Sequence, residues 1–300
     1  MKRVLFLGYG EVGSSLYKLY TNFKSSYILY IKDLYRQNIK ANEKIDILNV
    51  CIPYNNMFIS SVVDNILEHK PYLTIIHSTI PLYTTEKVYE AVNTVSRTLM
   101  VHSPIMGVHP HLTESIKTFI KMVGGINDIS ATTAMEHLTD IGITVVKFNS
   151  SRETEMTKLL STTYYAWNIV FMKKVHELCE KLELNFEQVY TMSNLIYNDG
   201  YKMMEKENVI RPVLKNMHKG IGGHCLVENT IILDERNMLP EITKIILNQG
   251  KNSNLKYKDR AWLYSEYIGK NKKIKKIGEE CGVSSATIRK WLKKLSIPKK

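Results

Sequence analysis

Short apolar runs recur through the first half of the chain: Val4–Leu7, Tyr27–Ile31, Ile45–Ile52, Leu73–His77, Thr98–His102, Ile120–Val123 and Ile143–Phe148. Each has the length of a buried strand. Most are separated by stretches in which apolar residues return every three or four positions, as Val12, Leu16 and Leu19 do. Alternating strand and helix predicts an α/β fold on a doubly wound parallel sheet, with its ligand crevice at the carboxyl ends of the strands. The pattern then changes. From Glu153 to about Leu182, residues Met156, Leu159, Leu160, Trp167, Val170, Phe171, Val175 and Leu178 fall at helical spacing. They predict one long helix that packs on a second helical layer or on a second copy of the chain. Asn248–Asn254 is polar, contains Gly and Ser and has no period, as expected of a linker. Beyond it, Lys258–Gly269 and Ile274–Cys281 read as helices, and Ser284 is placed to cap a third that carries Ile288, Trp291, Leu292 and Leu295. The expected organisation is a sheet domain over 1–150, a helical substrate and dimerisation region over 151–248, a linker over 249–257 and a small all-α module over 258–300.

Composition adds one thing. With 44% hydrophobic and 23% charged residues in 300, the chain has an ordinary globular make-up, which excludes disordered and fibrous classes. No window approaches the roughly 18 unbroken apolar residues of a membrane span. Four scattered cysteines, Cys51, Cys179, Cys225 and Cys281, do not make a disulfide scaffold and point to a reducing, cytoplasmic setting. The net charge of +12 is unevenly spread: +11 of it falls in residues 251–300. A nearly neutral body therefore carries a basic tail, and the tail is the part expected to meet a phosphate backbone.

The candidate chemistry of the body begins at Gly8-Tyr9-Gly10-Glu11-Val12-Gly13, directly after the first strand and at the start of a helix. Gly8 and Gly10 suit a tight turn and the close approach of a pyrophosphate, Gly13 suits close helix packing, and the first amides of the helix, at Glu11 and Val12, favour phosphate charge. Asp33 ends the second strand about 20 residues on, where a ribose diol is gripped. This is the NAD-binding, Rossmann-type arrangement. An acid there favours NAD over NADP, a preference that Lys32 and Arg36 soften. Other strand ends offer Cys51-Ile52-Pro53, His77-Ser78-Thr79-Ile80-Pro81 and His102-Ser103-Pro104 to the same crevice, with His102 an acid or base candidate. On the long helix Lys158 and Thr162 lie one turn apart and can face one ligand, although a solvated lysine is the simpler reading of Lys158. Gly222-Gly223-His224-Cys225 would expose a sulfur beside a histidine, unless Cys225 is a buried structural residue. His109-Pro110-His111 has no further ligand at a motif spacing, so no metal is expected.

In the tail, Gly278, Gly282, Val283 and Ile288 occupy the small, turn and core positions of a helix-turn-helix, and Ile274–Leu292 resembles the resolvase-like and homing-endonuclease-associated DNA-binding modules. That resemblance implies that Ser285, Thr287, Arg289 and Lys290 face a major groove while neighbouring lysines meet phosphates.

Residues 1 to about 248 resemble the nucleotide-sugar dehydrogenases, the group acting on UDP-glucose, GDP-mannose and UDP-N-acetylmannosamine. The resemblance rests on the glycine turn, Ile52-Pro53, Ser78-Thr79-Ile80-Pro81, Glu155-Met156-Thr157-Lys158 and Gly222-Gly223-His224-Cys225. It implies NAD as cofactor, with Pro53 and Thr79 against it, Lys158 stabilising an oxyanion or serving as an acid, and Cys225 as the nucleophile that captures an aldehyde. It also implies a sugar or hydroxy-acid substrate and a homodimer. Three positions depart from the family: Ile105 stands where a glutamate assists thioester hydrolysis, Thr162 where an asparagine stands, and Asn229 where an aspartate stands. These departures bear on the four-electron reaction and raise an alternative, a dinucleotide-sensing regulator that binds DNA.

Overall fold

The structure, a computed structural model, describes every residue except 24, 108–110, 217–223, 253–256, 258–259, 282, 296 and 299–300; the side chains of 224, 225 and 250–252 also lie outside the described set. The chain divides into two compact units, Met1–Leu160 and Ser161–Lys300.

In the first unit the strands are β1 (Lys2–Leu7), β2 (Tyr27–Asp33), β3 (Arg36–Gln37), β4 (Ile47–Val50), β5 (Leu73–Ile76), β6 (Leu99–His102), β7 (Lys121–Gly125) and β8 (Val145–Phe148). The helices between them are α1 (Glu11–Tyr20), α2 (Phe58–His69), α3 (Thr84–Val92), α4 (Leu112–Thr118) and α5 (Asp128–Asp140). The sheet order is β3-β2-β1-β4-β5-β6-β7-β8. Both faces are covered, and the period of two shows in the partition of residues. Val4, Phe6, Ile47 and Ile75 pack with Leu16, Leu19, Ile116 and Leu138, while Leu5, Leu7, Leu48 and Ile76 pack with Phe58, Val62, Ile66 and Val88. The α/β fold is the one expected, with two departures from an all-parallel sheet. The β3 edge, absent from the sequence reading, turns back antiparallel on β2, and β7 runs antiparallel to β6.

Helix α6 (Ser151–Lys181) starts two residues earlier than its apolar pattern suggested. The division between units falls inside it rather than at residue 150, because its first turns are tied to the sheet. Glycines make close packing possible there and at the turn after β1. A Cβ on Gly124 would lie 2.1 Å from the Ser150 carbonyl oxygen, and one on Gly13 would lie 2.0 Å from that of Gly8.

The second unit is helical: the rest of α6, a π-turn over Glu187–Met192, α7 (Ser193–Met203), α8 (His224–Asp234), α9 (Pro240–Asn252), α10 (Arg260–Tyr264), α11 (Ile274–Glu280) and α12 (Ser285–Lys294). The buried apolar positions of α6 are Leu159, Ala166, Val170, Met172 and Cys179. This corrects the expected apolar face, since Phe171 and Leu178 are exposed at 57% and 53%. The linker is shorter than expected, because α9 runs on to Asn252 and only part of 249–257 follows it. The helix expected over Lys258–Gly269 is α10 continued by a π-turn over Ser265–Gly269. Ser284 caps α12 as read, its Oγ accepting from Thr287 N at 3.1 Å. The last helices share a core of Tyr257, Leu263, Tyr267, Ile277, Ile288 and Leu292. A Cβ on Gly278 would meet the Val283 carbonyl oxygen at 2.7 Å, so the turn between α11 and α12 needs that glycine.

Candidate cofactor site and its surroundings

The sheet order reverses between β1 and β4, which puts the switch point, and the crevice it opens, beside Gly8. Gly8 has φ +95°, and a Cβ there would lie 2.9 Å from the Cys51 carbonyl carbon. Gly10 differs. It precedes α1 with no side-chain cap, and a Cβ on it would meet nothing within 4 Å. Gly8 and Gly13 are therefore required by the protein's own packing, while Gly10 leaves open space before the first amides of a helix, a cradle that suits a phosphate. Asp33 stands next to it, its Oδ2 accepting from Tyr9 N at 2.7 Å. Lys32 donates to Glu68 at 2.7 Å, and the Arg36 guanidinium lies over the Tyr9 ring at 5.0 Å. The residues present fit a dinucleotide, with Gly8, Gly10, Gly13 and Asp33 holding its pyrophosphate and ribose. Lys32, already paired with an acid, is placed less favourably for a 2′-phosphate than the sequence suggested.

Two loops at the strand ends are bound to α6. Ser78 Oγ donates to Ile52 O at 2.6 Å, joining the Thr79 loop to the Pro53 loop. His102 is buried, and burial holds its imidazole neutral, at about 3. Its Nε2 donates to Ser78 O at 3.1 Å, and its Nδ1 then accepts from the Thr154 hydroxyl at 2.8 Å. His102 is thus a staple and not the acid or base considered for it, because both nitrogens are used inside the core. Lys158 Nζ donates to Ile105 O at 2.7 Å and is half-buried, so it is not a solvated surface lysine. The Ile105 side chain is packed in the core with Leu112 and Ile116.

Sequence reading missed Lys121. It is buried, donates to Ser103 O at 2.5 Å and Pro104 O at 3.0 Å, and its amine is pushed well below its usual range, first by burial. Three consecutive carbonyls, at 103, 104 and 105, are therefore held by two lysines. Cys51 lies nearby with its thiol pushed up to about 12 by burial, an inert sulfur.

In the second unit, Asn229 Nδ2 donates to Thr162 Oγ1 at 3.3 Å, so two of the departing positions are brought together as a neutral pair. The segment before the glycine loop is pinned: Asn198 holds both Arg211 N and Arg211 O at 2.9 Å, and Leu214 N donates to the Tyr190 hydroxyl at 3.3 Å. Gly222 and Gly223 lie outside the described residues. His224 and Cys225 open α8, with their side chains outside the described set. His109 and Pro110 of the His109-Pro110-His111 run also lie outside the described residues. On α12 the exposed face is Ala286, Arg289, Lys290 and Lys293. Ser285 and Thr287 are half-buried, with the Thr287 hydroxyl 3.0 Å from that of Ser284.

These features define a doubly wound dinucleotide-type unit followed by a helical one. Residues 152–255 match the central domain of the UDP-glucose/GDP-mannose dehydrogenase family. The UDP-N-acetyl-D-mannosamine dehydrogenase of Methanococcus vannielii is 24% identical over 216 residues, covering 67% of this chain and 47% of that protein. The same enzyme of Methanococcus maripaludis (strain C7) is 25% identical over 166 residues, covering 55% and 35%. The chain thus spans about half, or less, of the length of these curated relatives. Among solved structures, the UDP-D-ManNAc dehydrogenase of Pyrococcus horikoshii superposes with a TM-score of 0.68 at 16% identity, over 90% of this chain and 72% of that one. The 3-hydroxyisobutyrate dehydrogenase of Mycobacterium tuberculosis superposes with a TM-score of 0.61 at 11% identity, over 97% and 99%. The fold is the one these dehydrogenases share. No helix among the described residues is long and apolar enough to cross a membrane.

Proposed function

We propose that the chain is an NAD-dependent oxidoreductase of the nucleotide-sugar dehydrogenase type, oxidising a hydroxyl of a sugar or hydroxy-acid substrate, and that its C-terminal helices bind DNA. Lys158 carries the first part: its amine is fixed on the Ile105 carbonyl at the ligand side of a sheet whose glycine turn fits a pyrophosphate. NAD supplies the hydride acceptor. As the carbinol loses hydride and releases its hydroxyl proton to water, Lys158 stabilises the developing oxyanion. Thr162 and Asn229 position substrate hydroxyls, Pro53 and Thr79 line the cofactor, and Cys225 captures an aldehyde product. The test is NADH formation by the purified chain across sugar nucleotides, free sugar alcohols and hydroxy acids, with Lys158→Ala and Cys225→Ala as controls. Turnover lost in Lys158→Ala supports the reading, and no turnover on any substrate despite NAD binding overturns it.

The second reading, a dinucleotide-sensing regulator, is favoured by the burial of Ile105 in the core and by the neutral Thr162–Asn229 pair, which leave out two carboxylates of the relatives' pattern. It requires DNA affinity to change with NAD or NADH at fixed salt. DNA binding itself is supported by the concentrated positive charge and by the exposed Arg289, Lys290 and Lys293. A homodimer is supported by Tyr164, Phe171 and Leu178, exposed large apolar residues on α6.

A further inference from the structure

Glu155 is one of few charged residues in the first unit with no solvent exposure. It sits in the first turns of α6, and among the described residues no cation pairs with its carboxylate. Its partners are the start of α3: Oε2 accepts from Tyr83 N at 2.7 Å, and Oε1 accepts from Thr85 N at 2.8 Å and from the Thr85 hydroxyl at 2.6 Å. Tyr83 is held at φ +69°, a strained conformation for a tyrosine. The loop from Ser78 to Tyr83, which contains Thr79, is thereby tied at both ends to the same helix. Thr154 holds its beginning through His102 and Ser78 O, and Glu155 holds its end directly.

We infer that Glu155 is a positioning residue for the dinucleotide: it fixes the far end of the Thr79 loop, and gaining or losing one proton there changes how tightly the cofactor is held. This rests on the NAD-binding reading of the glycine turn. All three partners are donors, so the carboxylate satisfies them and the acid does not. A proton on Oε2 would face Tyr83 N–H and remove that bond; a proton on Oε1 would face two donors. Burial raises this carboxyl to about 7, against the lowering effect of the Thr85 and Tyr83 bonds, so the change falls near neutrality. The charged group acting on it is Glu86 on α3, which disfavours its ionisation; Arg152 and Glu153 precede it on α6. Arg152 is engaged with Glu86 at 2.7 Å and lies over the Tyr83 ring at 5.2 Å. His102, the titratable group that holds the beginning of the loop, is neutral across this range.

The experiment is NADH affinity of the full chain, read by fluorescence from about pH 6 to about pH 8, with hydrogen exchange of the 78–86 segment measured alongside. Wild type binds about tenfold more weakly at the acid end, for the loss of one hydrogen bond to a charged group. Glu155→Gln binds at the alkaline end as wild type does at the acid end, without an inflection, and its Tyr83 and Thr85 amides exchange faster. Thr85→Val removes one donor to the carboxylate and moves the midpoint to higher pH, a shift that mere loosening of the loop would not produce. A pH-independent wild-type affinity, or an unmoved midpoint in Thr85→Val, overturns the inference and leaves NAD binding standing. No NADH binding at any pH overturns both.

Discussion

The two units differ in how many ionisable side chains they bury: His69, His77, His102, Lys121, His137 and Glu155 in the first, and Lys173 and Glu266 among the described residues of the second. The first takes several ionisable groups into its interior and bonds them there: His77 meets Ser103 O at 3.0 Å and Asn49 at 2.9 Å, and the Tyr20 hydroxyl meets His137 at 2.7 Å. The second keeps large apolar residues exposed along its long helix, Tyr164, Phe171 and Leu178 among them, where the first exposes its own chiefly at turns and helix ends such as Leu34, Tyr35 and Val95. A sheet covered on both faces has nowhere else to put the side chains between its strand ends and its ligand crevice, so it accepts the cost of burying them and neutralises them. A set of helices has spare surface, and an uncovered apolar face is an invitation to another body.

The largest effect separating the two is acid lability. Burial holds His102 and His137 at about 3 and His77 well below its usual value. These are bases with lowered folded values, so their stability contribution is complete above the unfolded value near 6.5 and is lost as pH falls towards 3. For His102 and His137 each loss is on the order of 4 kcal/mol. Hydrogen exchange during acidification should therefore show the first unit opening before the second; simultaneous or reversed opening would break the contrast. Next is Gly13→Ala, whose Cβ overlaps the Gly8 carbonyl. It should cost about 3 kcal/mol or more in urea unfolding, while Gly10→Ala should leave stability within about 0.5 kcal/mol and weaken NADH binding. In the second unit, Arg289→Ala should reduce discrimination between DNA sequences by about 1–3 kcal/mol, and Lys276→Ala should weaken binding uniformly, both read by anisotropy titration at several salt concentrations. The smallest effect on folding is expected of Phe171→Glu with Leu178→Glu, about 0.5 kcal/mol, with sedimentation showing loss of the dimer. A dimer that survives this pair places the interface elsewhere.

Legibility in the sequence followed the same divide. Strands buried on both faces show as unbroken apolar runs, and Val4–Leu7 or Leu73–His77 left little choice of element. The Gly8, Gly10 and Gly13 turn was readable because the demands of close packing and open space are met by one residue type. The face of α6 was not readable, since helical spacing tells which residues are apolar but not which of them another element covers. Lys121 and Glu155 were invisible for a different reason. Their importance comes from carbonyls and amides contributed by distant segments, and a backbone group leaves no trace in the sequence. The β6–β7 reversal belongs with these, because strand direction is set by how a connection folds back.

That reversal bears on which positions in such a sheet are free to drift. Along parallel strands, the ends that face the ligand change with chemistry and the opposite ends are kept for stability. Because β7 runs against β6, its first residue stands on the ligand side, and Lys121 holds the same loop that Lys158 does. In evolutionary terms the position answers to two selections at once. A change there alters scaffold and site together, and compensation has to come from the 103–105 segment rather than from β7's own neighbours.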